Sequence, residues 1–332
     1  MRVLVTGGAG FIGANFILRQ LERQPGLSVI NLDALTYAGC RESLASLEGN
    51  PRHEFVHGDI LDEALLRTLM PRVDGVINFA AESHVDRSLK DPELFLRTNI
   101  LGVRTLLDAV RHENARRGGS LRFHQIGTDE VYGDLGESGG FFREDTPLEP
   151  SSPYSASKTS ADLLVGAWRR TFGLDAVITR CSNNYGPLQF PEKLIPLMIW
   201  KAERGESLPV YGQGLNVRDW LYVDDHVDAI WEVFTRAENG SVYNIGGANE
   251  WRNIDIVKLI LQELGRPESL IQFVQDRPGH DMRYAIDAAK IRRELGWSPA
   301  VDFASGLKKT ITWYREHTEW ADALRLRVHA GQ

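Results

Sequence analysis

Apolar residues along this chain fall into two alternating rhythms. Short runs bounded by glycine or polar turns occur at 2–6 (RVLVT), 27–32, 53–56, 76–80, 122–126 and 176–179, and runs of this length rich in Val, Ile and Leu predict buried strands. Between them lie longer segments with apolar positions three and four apart: Phe11, Ile12, Phe16 and Leu21, then 62–70, 93–113 and 154–172. That spacing predicts helices with one buried face. Strands alternating with helices imply parallel pairing through right-handed crossovers, so the fold class expected is α/β, a Rossmann-type doubly wound parallel sheet.

Past Asn183 the rhythm changes. Pro187, Pro191, Pro196 and Pro209 punctuate the chain, strands are expected near 208–211 and 242–245, and helices at 224–237, 254–264, 287–295 and 303–317. The expected organisation is a first domain over 1–182 and a smaller C-terminal α/β lobe over 183–332, with some chain crossing back. In an open α/β sheet ligands bind beyond the carboxyl ends of the strands, so the residues that follow each strand are the first candidates for chemistry.

Composition narrows the function classes. With 332 residues, 42% apolar and 25% charged, the chain has material for two cores and is too apolar for disorder. Lys plus Arg number 38 against 45 Asp plus Glu, a net charge of −7, so no global positive field draws nucleic acid or an anionic membrane. An anionic ligand must be gripped by local groups. No apolar run approaches the roughly 20 residues that span a bilayer, and Val3-Leu4-Val5 is too short for a leader's apolar core; a soluble, cytoplasmic protein is expected. Cys40 and Cys181 form no CxxC pair, and no His, Cys or carboxylate cluster has ligand spacing, so neither a disulfide nor a metal is expected.

Thr6-Gly7-Gly8-Ala9-Gly10-Phe11-Ile12-Gly13 joins the first strand to the first helix. There glycines serve a tight turn, close approach of backbone to a pyrophosphate, and close packing of the helix. Asp33 ends the second strand, twenty residues after Gly13, where a carboxylate accepts from ribose hydroxyls and repels a 2′-phosphate. The cofactor expected is NAD rather than NADP. Asp59, after the third strand, suits either an adenine edge or a helix N-cap.

Tyr154 and Lys158, four apart at the start of a helical run, share a face. A neighbouring ammonium and a positive nicotinamide ring both favour phenolate, so the tyrosine pKa is expected to fall below its usual value of about 10 and to make Tyr154 a base for a substrate hydroxyl. Thr128-Asp129-Glu130 follow the fifth strand. Two adjacent carboxyls there repel as ions, so one tends to stay protonated and the other ionised, which yields an acid and a base.

These residues resemble the extended short-chain dehydrogenase/reductases, and TGGAGFIG, Asn99 and the Tyr154/Lys158 pair are similar to the nucleotide-sugar branch. AAESHVDRS (80–88), TDEVYG (128–133), YSASK (154–158), NNYGPLQFPEKLIP (183–196), VRDWLYVDDH (217–226) and DRPGHDMRYAID (276–287) resemble, more sharply, the dTDP-glucose 4,6-dehydratase family, over essentially the whole chain. The resemblance implies that Tyr154 deprotonates the sugar C4 hydroxyl, Thr128 hydrogen-bonds that oxygen, and Lys158 holds the nicotinamide ribose. Glu130 then removes the C5 proton and Asp129 protonates the C6 hydroxyl as water leaves. NAD is regenerated in each cycle and stays tightly bound, and the product is a 4-keto-6-deoxy sugar nucleotide.

It further implies cofactor contacts from Gly7, Gly10, Phe11, Ile12, Gly13, Asp33, Thr36, Asp59, Ile60, Ala80, Ala81, Ser83, Asn99, Tyr154, Lys158 and Cys181. Substrate contacts are implied from Ser83, Thr128, Asn183, Lys193, Leu194, Pro209, Tyr211, Arg218, Asn253, Arg277, His280 and Tyr284. A homodimer through the helices carrying Asn99 and Tyr154 is implied as well, although the stripe Leu96, Ile100, Val103, Leu107 taken alone reads as intramolecular core. Three positions depart from the family pattern: Gly127 for serine, Cys40 for asparagine and Met282 for arginine. A 4-epimerase or a UDP-glucuronate decarboxylase of the same branch is the nearest alternative, but an epimerase has no use for the acid pair and Asp129 would repel a C6 carboxylate. A non-catalytic NAD-sensing regulator should have lost Tyr154, Lys158 or the acid pair.

Overall fold

The computed structural model describes residues 1–136, 139–276 and 280–330, with side chains described through Leu326. Seven strands form one parallel sheet: β1 (Arg2–Thr6), β2 (Ser28–Asp33), β3 (His53–His57), β4 (Gly75–Asn78), β5 (Arg122–Thr128), β6 (Ala176–Cys181) and, beyond three strands of the lobe, β10 (Val242–Ile245). Their order is β10-β6-β5-β4-β1-β2-β3, so the direction of winding reverses between β1 and β4. That reversal opens a crevice at the carboxyl ends of those two strands.

The six strands expected before residue 182 are all present; β1, β2, β4 and β6 are buried along nearly their whole length, whereas β3, at the sheet edge, is only half-buried and carries His53, Glu54 and His57. Leu4, Ile30, Val76 and Phe123 pack on one side of the sheet with Leu106, Val110 and Val165. Val3, Val5, Val29 and Ile77 pack on the other with Phe16, Ile17 and Val227.

Two expectations are corrected. Residues 242–245, assigned from sequence to the second lobe, pair with β6 as the seventh strand of the main sheet. The helix Val223–Arg236 likewise packs on the helix Phe11–Arg23, and Arg19 grips Asp228 through Nε and Nη2 at 2.8 and 2.7 Å. Residues 223–245 therefore return physically to the first domain. The helix expected as one piece over 93–113 is instead Pro92–Phe95, a wide π turn over Leu96–Gly102, and Val103–Arg117. Extra residues in a turn re-aim side chains, and here Asn99 is carried into the interior, 1% exposed.

The second lobe has a three-stranded sheet, β11 (Glu250–Arg252), β9 (Val217–Tyr222) and β7 (Asn183–Tyr185), and a parallel pair, β12 (Ile271–Val274) with β8 (Leu208–Tyr211). Tyr185, Trp220, Tyr222 and Phe303 form its aromatic centre with Ile195, Ile256 and Leu307. Since β7 starts two residues after β6 ends, Ser182 alone links the large sheet to the lobe, and the chain on either side of it lines one crevice.

Candidate active site

A cleft of about 330 Å³ runs along the crevice, lined on its far side by Ser182, Asn183, Asn184, Gln189, Phe190, Glu192 and Lys193. Gly7, Gly10, Phe11, Ile12, Gly13, Asp33, Thr36, Asp59, Ile60, Ala80, Ala81, Ser83, Thr128, Asp129, Glu130, Tyr154, Lys158, Cys181, Asn183 and Lys193 all line it. Most of these residues, far apart in sequence, meet because they lie at or just beyond the carboxyl ends of strands of the same sheet; Tyr154 and Lys158 come from the helix Pro153–Phe172, and Asn183 and Lys193 from the lobe.

At one end the glycine loop has no room for side chains. Gly7 adopts φ +70°, and a Cβ there would lie 2.6 Å from Ala80 N; a Cβ on Gly13 would lie 2.4 Å from Gly7 O. Gly10 caps the helix Phe11–Arg23 without a side chain to offer, which leaves first-turn N–H groups facing the cleft as an anion cradle. The Asp33 carboxylate accepts from Ala9 N and Leu35 N, both at 2.8 Å; burial pushes its pKa up despite those bonds. This combination fits a dinucleotide: a pyrophosphate against the loop and a ribose beside Asp33. Asp59 accepts from Leu61 N at 2.9 Å, and the cap of the helix Glu63–Leu69 is Asp62, so the N-cap reading of Asp59 does not hold.

At the other end the catalytic candidates converge. Ser152 and Ser155 form a reciprocal capping box at the start of the helix Pro153–Phe172, which fixes Tyr154 and Lys158 in its first turns, buried at 7% and 5% exposure. Lys158 Nζ donates to Ile126 O at 2.7 Å; burial lowers its pKa, and Asp162 one turn later raises it. The expected fall of the tyrosine pKa draws on the nicotinamide ring, and the protein's own groups act in the opposite sense. Burial, then the charge of Glu130, hold the Tyr154 phenol well above its usual value, and the Thr128 hydroxyl only partly opposes them. The protein's own field thus favours the neutral phenol.

Thr128 ends β5 and caps the short turn Asp129–Tyr132, accepting from Glu130 N at 3.3 Å. Asp129 is 2% exposed. Burial first, then Glu130 and Asp219, hold its carboxyl well above the usual carboxylate range, against the pull of Arg218. Its surroundings therefore favour the protonated form of Asp129.

Asn99 does not reach the cleft. Its side chain accepts from Glu82 N and donates to Glu82 O and Ser157 Oγ, each at 2.9 Å, which ties the loop after β4 to the tyrosine-bearing helix. Leu194, Pro209, Tyr211, Arg218, Asn253, His280 and Tyr284 lie in the lobe beyond the cleft lining. The Arg218 guanidinium donates to Asp281 O at 2.8 Å and Val217 O at 2.7 Å, and it stacks 4.4 Å from the Tyr284 ring. His280 pairs with Asp276 at 2.6 Å. Lys193 Nζ donates to Ser83 O at 3.1 Å, and Asn183 has a buried Oδ1 with no hydrogen-bond partner. Arg277 falls outside the described residues.

The three departures are explained by what their backbones do. Cys40 N donates to Ala9 O at 2.9 Å, and Met282 N donates to Asp134 Oδ2 at 3.0 Å, contacts that any residue could make. Gly127 lies in β5 where a Cβ would approach Thr179 O to 2.7 Å, so a serine there needs the next strand to shift. Sequence reading missed the rim formed by Tyr37, Arg87 and Glu192, with the Arg87 guanidinium 3.6 Å from the Tyr37 ring. It also missed the buried Asp162–Arg180 pair at 2.8 Å behind Lys158.

Comparison with known proteins agrees with this geometry. The family model described as GDP-mannose 4,6 dehydratase matches residues 4–310. A dTDP-glucose 4,6-dehydratase of Xanthomonas campestris is 53% identical, covering 97% of this chain and 95% of its own. The crystal structure of a dTDP-glucose 4,6-dehydratase from Streptomyces venezuelae with NAD bound has a TM-score of 0.93 at 48% identity, over 98% of this chain and 100% of that one. A UDP-glucose 4-epimerase from Thermotoga maritima shares the fold at TM-score 0.87, over 96% of this chain and 100% of that one, but at 30% identity.

Proposed function

This chain belongs to the dTDP-glucose 4,6-dehydratase family, and on that premise we propose how its side chains divide the reaction. The enzyme is an NAD-dependent hydro-lyase that converts dTDP-glucose to its 4-keto-6-deoxy form. NAD bound in the cleft supplies an acceptor for the electron pair of the C4–H bond and yields that pair to C6.

Gly7, Gly10 and Gly13 admit the pyrophosphate, Asp33 accepts from the adenosine ribose, and Lys158 holds the second ribose while keeping positive charge beside Tyr154. Tyr154 takes the C4 hydroxyl proton, with Thr128 hydrogen-bonded to the same oxygen. Oxidation at C4 acidifies C5, Glu130 removes that proton, and Asp129 protonates the C6 hydroxyl as it departs. Asn183 and Lys193 on the cleft wall, backed by Arg218, hold the diphosphate. The observation that carries this reading is a buried Asp129 next to Glu130, in one cleft with Tyr154 and Lys158. Incubation with dTDP-glucose should give the alkali-induced absorbance of a 4-keto sugar; an epimerised sugar, or none, would overturn it.

Two further expectations follow from the same residues. Asp33→Ala should weaken NAD by roughly 1.5–3 kcal/mol, the worth of hydrogen bonds to a charged group; titration calorimetry on stripped protein reads this, and unchanged affinity assigns the ribose elsewhere. Leu94, Leu96, Leu101 and Leu163 are 42%, 46%, 49% and 59% exposed on neighbouring helical segments, an apolar surface that favours a homodimer through these helices. Light scattering should give twice the chain's 37.3 kDa, and a monomer at micromolar concentration would remove the dimer. A reducing, cytoplasmic setting suits Cys40 and Cys181, both buried and unpaired.

A further inference from the structure

The proposed division of labour, on which this inference rests, leaves two groups altered after each turnover. Tyr154 has gained the C4 hydroxyl proton. Asp129 has lost one to the C6 oxygen, which left as water. Glu130 ends as it began, because the proton removed at C5 is replaced there. The electron pair of the C4–H bond finishes in a C6–H bond, so the sugar is neither oxidised nor reduced overall. One proton is in excess on the phenol and one is missing from the acid, and the next turnover needs both corrected.

One hydroxyl stands between these two groups. Thr128 Oγ1 donates to Asp129 Oδ1 at 3.4 Å; it lines the same cleft as Tyr154, and its hydroxyl is the hydrogen-bonding group that eases the Tyr154 phenol downward. The Glu130 N–H pins the same oxygen at 3.3 Å. Protein encloses most of each group: Asp129 is 2% exposed, Thr128 and Tyr154 each 7%, and Asp129 Oδ2 is buried with no protein hydrogen-bond partner.

We propose that Thr128 is a proton relay that recharges the general acid from the general base at the end of each cycle. Oγ1 passes its own proton to Asp129 Oδ1 and takes the phenolic proton of Tyr154. An O–H bond forms on Asp129, one breaks on Tyr154, and Thr128 is restored. No electrons move and no co-reactant is needed. Burial makes Asp129 a better proton acceptor than an ordinary aspartate, and a positive nicotinamide ring favours the phenolate left behind.

Rapid-quench kinetics with dTDP-glucose on wild type, Thr128→Val and Thr128→Ser test this, read as the ratio of first-turnover rate to steady-state rate within each protein. Valine keeps the shape and removes the hydroxyl. Its ratio is expected to exceed that of wild type at least tenfold, with a product burst approaching one per site, while serine should keep the wild-type ratio. A threonine that only orients the C4 oxygen slows both phases alike, so an unchanged ratio in Thr128→Val overturns the relay, as does a serine variant that behaves like valine. If the valine variant does not fold, Thr128→Ala carries the same expectation and the same overturning result. Failure of the dehydratase reading is distinguishable, since wild type would then make no 4-keto product at all.

Discussion

Tyr154→Phe is expected to lower turnover by 10²–10⁴, the usual cost of removing a positioned base, with little effect on fold. The ring itself is not catalytic: it packs edge-on against Phe95 with centroids 6.3 Å apart, and phenylalanine preserves that contact. The capping box that starts its helix uses Ser152 and Ser155 and is untouched, so the stability loss should stay near the roughly 1 kcal/mol of one hydrogen bond. A variant close to wild-type rate would pass the base role to Glu130 or a water. Because burial and Glu130 hold the phenol up, the difference spectrum between wild type and Tyr154→Phe without NAD should show no tyrosinate below pH 10, and NAD should bring its appearance to lower pH. Tyrosinate at neutral pH without NAD would show that Lys158 alone suffices.

The fold was legible where burial made the pattern simple. A strand covered on both faces tends to be apolar along its length, and β1, β2 and β4 could be located on that ground, while β3 and β5 show only short apolar runs among polar residues. The same simplicity misled at Val242–Ile245: four apolar residues look alike in any sheet, and nothing local says that the chain has come back to β6. The assignment depends on contacts such as Val233 and Ala229 beneath Tyr243 and Ile245, which are set by tertiary packing. The break over Leu96–Gly102 was hidden for a related reason. Its cause is the demand of the Glu82 backbone and Ser157 for the Asn99 amide, partners 17 and 58 residues away.

The site was legible where chemistry forces residue type at a fixed place on the sheet. The glycines show their necessity in the lack of space at Gly7 and Gly13, and Asp33 lies at the strand end where a ribose passes. Electrostatics was less accessible. The sign of the Tyr154 shift depends on how deeply the phenol is buried and on the distance to Glu130, and an i, i+4 spacing with lysine speaks to neither. The lobe residues were the least accessible of all: Arg218 was recognised by motif, yet its side chain is engaged by the carbonyls of Asp281 and Val217.

Glu130→Gln and Asp129→Asn are expected to stop the reaction at different points, each at a cost of about 10²–10⁴. Without a base at C5, the glutamine variant can still oxidise C4 but cannot eliminate, so the near-ultraviolet absorbance of reduced nicotinamide should accumulate without product. In D₂O, wild type should place deuterium at C5, where the returned proton comes from solvent through Glu130, and none at C6, whose new hydrogen comes from C4. The asparagine variant should oxidise and exchange C5 yet expel hydroxide unaided, and a fluoride leaving group at C6 should restore much of its rate. The pH dependence has a definite sign. Asp129 works as the protonated acid and burial raises its pKa, with Glu130 adding to the rise, so activity should persist above the usual aspartate range and fall as pH climbs through the raised value. Asp129→Asn should abolish that alkaline limb, because no proton remains to be lost there. If Asp129→Asn abolishes C5 exchange while Glu130→Gln preserves it, the roles are reversed, and if both variants keep full activity the acid pair does not perform the elimination.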